Sequence, residues 1–226
     1  MKRLRLIFLL VLLMATAGQS QQNYSVEVSV SSGIVFPSSP MTFADYWNVQ
    51  YGGALNVGIP LSPSMTLVGS LEHYQFKMNA DGIQKGFDTN YMREIWIFDH
   101  VSLNPSADPS SVTTLSANVR MTPVRLSGVI SPYFIGGIGV MRFALGEIKL
   151  PTTSVLSVNG SDISMTSQQT VTGGTQTSAF FQFGMGLNAQ LTQSLDLFIE
   201  ARYASGLNKG LRTVYLPITG GIKMRL

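Results

Sequence analysis

Apolar and polar residues alternate along most of this chain with a period of two, the spacing that puts neighbouring side chains on opposite faces of a β-strand. Thr177–Leu191 is the clearest stretch. Ala179, Phe181, Phe183, Met185, Leu187, Ala189 and Leu191 share one face, and Ser178, Gln182, Gly184, Gly186, Asn188 and Gln190 share the other, with Phe180 the exception. This run is far longer than the usual strand of about five or six residues. The same alternation predicts strands near Ser25–Ser31, Asn48–Ile59, Leu115–Met121, Leu195–Tyr203 and Val214–Arg225. Thr66–Met78 and Tyr133–Phe143 alternate less cleanly, and the pattern leaves open which face of Tyr133–Phe143 points outward.

The eight predicted strands are joined by connections of two kinds. Short ones fall at Pro60–Ser64, at about Thr122–Ile130 and at Thr192–Ser194. Long ones fall at Phe36–Tyr46, Lys77–Thr113, Ala144–Gln176 and Ser205–Arg212, and the two kinds alternate strictly. An even strand number with short turns at one end and long loops at the other is the plan of a transmembrane barrel. The expected fold is therefore all-β: an eight-stranded antiparallel up-and-down transmembrane β-barrel with long extracellular loops. Within Ala144–Gln176, Asn159-Gly160 sits between alternating segments and predicts a hairpin projecting beyond the membrane. Ile95-Trp96-Ile97-Phe98 is unusually apolar for a loop and is expected either to fold back on the barrel mouth or to form further strand.

Charge changes this picture in one respect. Only 12% of residues are charged, about half the share usual in soluble domains. On the best strands the charges Glu27, Arg120, Glu200, Arg202 and Lys223 all lie opposite the apolar face, and Glu72 joins them if Thr66, Ser70 and Glu72 face inward. A Lys or Arg on the lipid face near the midplane would cost about 2–4 kcal/mol. Charges inside a narrow barrel must be paired. A network is therefore expected inside the barrel. Glu72, Arg120, Glu200 and Arg202 would lie centrally, and Glu27 would meet Lys223 near the periplasmic rim. Pairing across Gln193 would set Gly184 and Gly186 opposite Arg202 and Glu200, leaving room for their side chains. Tyr24, Trp47, Tyr51, Tyr203 and Tyr215 fall near strand ends and are expected to form an aromatic girdle at the headgroup layer.

Met1–Ser20 reads as a secretory signal peptide, with Lys2, Arg3 and Arg5 before a short apolar run and Ala15-Thr16-Ala17 after it. Cleavage is expected after Ala17 or Ser20, leaving residues 21–226 as the barrel domain. The net charge of +3 includes those three basic residues, so the mature chain is near neutral and gives no sign of nucleic-acid binding. The absence of cysteine excludes disulfides and thiolate metal sites.

Three segments resemble the small bacterial outer-membrane β-barrel family that includes OmpX and the transmembrane domain of OmpA. Ser131-Pro132-Tyr133-Phe134-Ile135-Gly136-Gly137-Ile138-Gly139 resembles one of its strands, Phe198–Tyr203 its penultimate strand, and Leu216–Leu226 its closing strand. The resemblance implies residence in the bacterial outer membrane, lipid as the surrounding partner and contact with the barrel-assembly machinery during biogenesis. Leu226 stands where family members usually end in an aromatic residue, which weakens that assembly signal.

No catalytic, cofactor-binding or metal-binding residue is expected. His100-Val101-Ser102 is only faintly like the His-x-Ser of lipid A deacylases, and two histidines without a carboxylate cluster make a poor metal site. The leading expectation is a non-enzymatic monomer, structural or binding an unknown extracellular ligand through its loops. The alternatives are a narrow ion or small-solute channel, a lipid-modifying enzyme and a soluble lipocalin-like barrel with its faces reversed.

Overall fold

A computed structural model of the chain describes residues 25–90, 100–123, 130–158, 161–207 and 212–226. The signal segment, Tyr24, the Ile95–Phe98 run and the Asn159-Gly160 turn lie outside the described residues. Eight long strands form the wall: β1 (Glu27–Ser39), β2 (Gln50–Ser62), β3 (Met65–Phe76), β6 (Ser110–Met121), β7 (Ile130–Leu145), β10 (Gly174–Gln190), β11 (Leu195–Gly206) and β12 (Val214–Arg225). They pair antiparallel in the closed order β1-β12-β11-β10-β7-β6-β3-β2. The ends of the chain seal the barrel, from Glu27 opposite Arg225 to Phe36 opposite Leu216. Closure satisfies the backbone hydrogen bonds of every wall strand, which a sheet crossing lipid requires.

The period-two pattern appears as two different surfaces. Val30, Leu55, Leu115, Ile138, Phe183, Met185 and Ile199 point outward and are exposed. Ser29, Asn56, Ser70, Glu72, Asn118, Gln182, Glu200 and Arg202 point inward and are buried. A soluble ligand-binding barrel has the reverse arrangement, so the lipocalin-like reading is set aside. On β7 the face left open by the sequence is now fixed: Tyr133, Ile135 and Met141 are buried inside, while Phe134, Ile138 and Val140 are outside.

The wall is longer than expected at the loop end. β1 runs on to Ser39 and β6 begins at Ser110, within segments whose sequence reads as loop. The cause is a change in the interior itself. Val35, Phe76 and Val112 point inward there and are fully buried, while outward Gln75 and Ser111 are polar, so the contrast between a polar inner and an apolar outer face is lost.

The long connections carry the remaining elements. Helix α1 (Met41–Tyr46) follows β1, and helix α2 (Ala80–Asn90) follows β3. A second sheet contains β4 (His100–Leu103), β5 (Ser106–Ala107), β8 (Ile148–Val158) and β9 (Ser161–Val171). β8 is its centre, with β9 on one edge and β4 and β5 on the other. Val158 pairs with Ser161, the register of a hairpin with a two-residue loop.

Candidate functional site: a filled lumen

The middle of the lumen is built on Arg202. Its Nε donates to Glu200 and its Nη1 to Glu72, with all three side chains buried. Room for them comes from β10, where Gly184 pairs with Arg202 and Gly186 with Glu200. A Cβ on Gly184 would stand 2.8 Å from Arg202 Cγ, and one on Gly186 would run into the Tyr133 ring. Around the triad, uncharged groups extend the hydrogen bonding. Gln182 Nε2 donates to Ser116 Oγ at 3.0 Å and to Asn118 Oδ1 at 2.8 Å. Asn118 Nδ2 donates to Ser70 Oγ at 3.0 Å. The gap beside Arg120, Tyr133, Glu200 and Arg202 has room for about one water molecule.

Two further ion pairs lie towards the short turns. Arg120 bonds Glu27 and lies with its guanidinium carbon 5.7 Å from the centre of the Tyr133 ring. Lys223 bonds Asp196 at 3.0 Å and Asn188 Oδ1 at 3.1 Å. Arg225 adds a two-pronged contact to the same carboxylate, at 2.6 and 2.7 Å. The six residues expected to form one network therefore fall into three groups, and two expected meetings are corrected. Arg120 forms no ion pair with the central carboxylates: it bonds Glu27 instead, and reaches the triad only through the Tyr133 ring and the small gap it shares with Glu200 and Arg202. Lys223 does not meet Glu27, because Asp196 sits directly across from it on β11. Asp196 is the member missed. The alternation puts it on the polar face of its strand, but its partners depend on β11–β12 register.

Towards the long connections the lumen turns aromatic. Tyr74 is the joint, since its hydroxyl donates to Glu72 Oε2 at 3.2 Å while its ring lies 5.7 Å from that of Tyr215. Phe76 meets Tyr215 edge to face with ring centres 6.5 Å apart, and Phe43 of α1 lies 5.1 Å from Phe76. Val35, Val112, Met141, Phe180 and Trp47 complete this cluster. Trp47 and Tyr215 are thus not girdle residues. Tyr215 follows the inward parity of β12 and is 0% exposed, and Trp47 is drawn in behind α1. Tyr51 does point out, 75% exposed, and Tyr203 stacks on Phe183 at 5.0 Å on the exterior.

The His100-Val101-Ser102 run lies in β4 of the second sheet, paired with Val155, Ser154 and Thr153, and not in the barrel wall. Among the described residues no group of three His, Asp or Glu side chains is placed to hold a metal.

An apolar exterior, a charged and filled interior and closed antiparallel strands define a transmembrane β-barrel of the outer-membrane type. Such a barrel is built to sit in a bilayer, with lipid around its wall. No protein-family model matches the chain, and no curated protein matches it. Solved structures of similar shape include Neisserial surface protein A, at 12% identity over 91% of this chain and all of that one, with a TM-score of 0.48. The attachment invasion locus protein Ail of Yersinia pestis, solved with the heparin analogue sucrose octasulfate, is 11% identical over 90% of this chain and all of that one, with a TM-score of 0.46. A major outer membrane protein from Thermus thermophilus is 12% identical over 91% of this chain and all of that one, with a TM-score of 0.49. The barrel plan and the lipid-facing exterior rest on the chain's own geometry.

Proposed function

We propose that this protein is a non-enzymatic monomeric barrel that works at the cell surface through its long connections, as a structural element or by binding an extracellular ligand. The observation that supports this reading is the filling of the lumen. Among the described residues, the Arg202 ion cluster occupies its middle and the Phe76–Tyr215–Phe43 cluster its loop end, an arrangement that favours a plugged barrel over a conducting one. What extends beyond the barrel is the second sheet, whose β9 strand is exposed along its whole length. Loops held on a rigid scaffold are where binding function concentrates. During biogenesis the assembly machinery would read the closing strand β12.

Purified protein in planar lipid bilayers tests this reading against the channel. The expected record is flat. Reproducible single-channel steps from wild-type protein, absent from a boiled sample, would overturn the reading in favour of a conducting barrel.

A further inference from the structure

We infer that Arg142, together with Thr113 and His73, forms an exterior site for the phosphate of an outer-leaflet lipid headgroup. The inference starts from the one exception to the sorting of charge. Among the described residues of the eight wall strands, Glu27, Glu72, Arg120, Asp196, Glu200, Arg202, Lys223 and Arg225 lie on the inward face. Arg142 alone among the Lys, Arg, Asp and Glu of these strands is outward, one position from fully buried Met141. It has no ion-pair partner among the described residues.

Its neighbours are fixed by register. Thr113 lies directly across from Arg142 on β6, and His73 directly across from Thr113 on β3. His73 Nδ1 lies 2.9 Å from Thr113 Oγ1. When Thr113 donates that bond, Nε2 carries the imidazole proton and is a further donor. On β10, Thr177 lies on the other side of Arg142.

This row is also the border of the apolar belt. The outward positions one step nearer the short turns are Leu71, Leu115, Val140 and Ala179; one step the other way, Gln75, Ser111 and Thr175 follow on three of the four strands. An unpaired guanidinium at this border is stable where a headgroup supplies its counter-charge. Phosphate suits it, since Arg offers two parallel N–H donors to two phosphate oxygens. The Thr113 hydroxyl and the His73 ring stand on one side of that position, and the apolar row below accommodates the acyl chains. No outward carboxylate on these strands opposes an anion.

The test is native mass spectrometry of the full chain in detergent, titrated with diphosphoryl lipid A. Wild type is expected to retain one lipid. Arg142→Gln should weaken retention about five- to tenfold, His73→Gln less, and Arg142→Lys should keep part of the affinity as a point charge. Lys149→Gln, in the second sheet, should behave as wild type. Lipid A stripped of its phosphates should bind poorly, and inorganic phosphate should not displace the intact lipid. Equal retention by Arg142→Gln and wild type, or equal binding of the dephosphorylated lipid, would overturn the proposal. Displacement by inorganic phosphate would replace the lipid with a free anion and equally sink it. The gel shift on boiling, taken for each variant, separates loss of the site from loss of the barrel. If Arg142→Gln does not close, Arg142→Lys carries the comparison: a partial loss of affinity supports the site, and affinity unchanged from wild type overturns it.

Discussion

The two halves of the lumen solve the same problem with opposite chemistry. Around Arg202 the space is filled by charges that must match, and around Tyr215 by rings that need only fit. A buried ion pair is stable only while complete, because removal of one partner leaves a charge without solvent. A packed aromatic cluster loses stability in proportion to the volume removed and has no comparable all-or-none failure. The half near the short turns therefore specifies which strands can pair and in what register. The half near the long connections adds burial and ties α1 to the wall through Phe43.

The sharpest way to break this contrast is Arg202→Met. Glu72 and Glu200 would then face each other without their shared cation, and a loss of about 3–5 kcal/mol is expected. Urea unfolding in lipid vesicles, followed by tryptophan fluorescence, measures it. Glu72→Leu, Arg202→Met and Glu200→Leu together should recover most of that loss, since apolar replacement of a whole buried cluster is often neutral. A single variant as stable as wild type would remove the central role given to the triad.

Phe76→Ala sets the scale for the other half. Its ring is fully buried between Phe43 and Tyr215, and about 3 kcal/mol should be lost. The distribution of the damage matters more than its size. Hydrogen exchange should quicken in α1 and the loop ends of β1 and β3, where local opening needs only the aromatic cluster to loosen. Faster exchange spread evenly over all eight strands would mean that the two halves unfold as one unit, and the distinction drawn between them would fail.

The same division explains what is legible in the sequence. Where the interior is polar, alternation marks each face, and the barrel, its eight strands and the sorting of short and long connections can be read directly. The Gly184–Arg202 and Gly186–Glu200 pairings follow from one short turn, so they too are within reach. Where the interior turns apolar the code loses its contrast. That is why β1 and β6 extend further than expected, and why Trp47 and Tyr215 look like girdle residues when they belong to the core. Tyr133–Phe143 is ambiguous for a related reason: glycines alternate with apolar residues, so neither face is marked as polar. Partners that meet across the lumen, such as Glu27 and Arg120, depend on closure of the whole barrel and have no local sequence signal.

The smallest expected effect isolates what burial contributes to an ion pair. Lys149 and Glu147 approach to 3.4 Å where the second sheet begins, with both side chains about half exposed, at 53% and 42%. Solvent screens such a pair and allows each group to stay hydrated when the other is removed, so Glu147→Ala should cost no more than about 0.5 kcal/mol. The contrast with Arg202→Met then depends chiefly on surroundings, since both sites join a cation to carboxylate but only one is open to solvent. Raising the salt concentration should erase the Glu147→Ala effect and leave the Arg202→Met effect nearly intact, since mobile ions reach the first site and not the second. If salt abolished both, water and ions would have to reach Arg202 freely, and the lumen could not be filled as described.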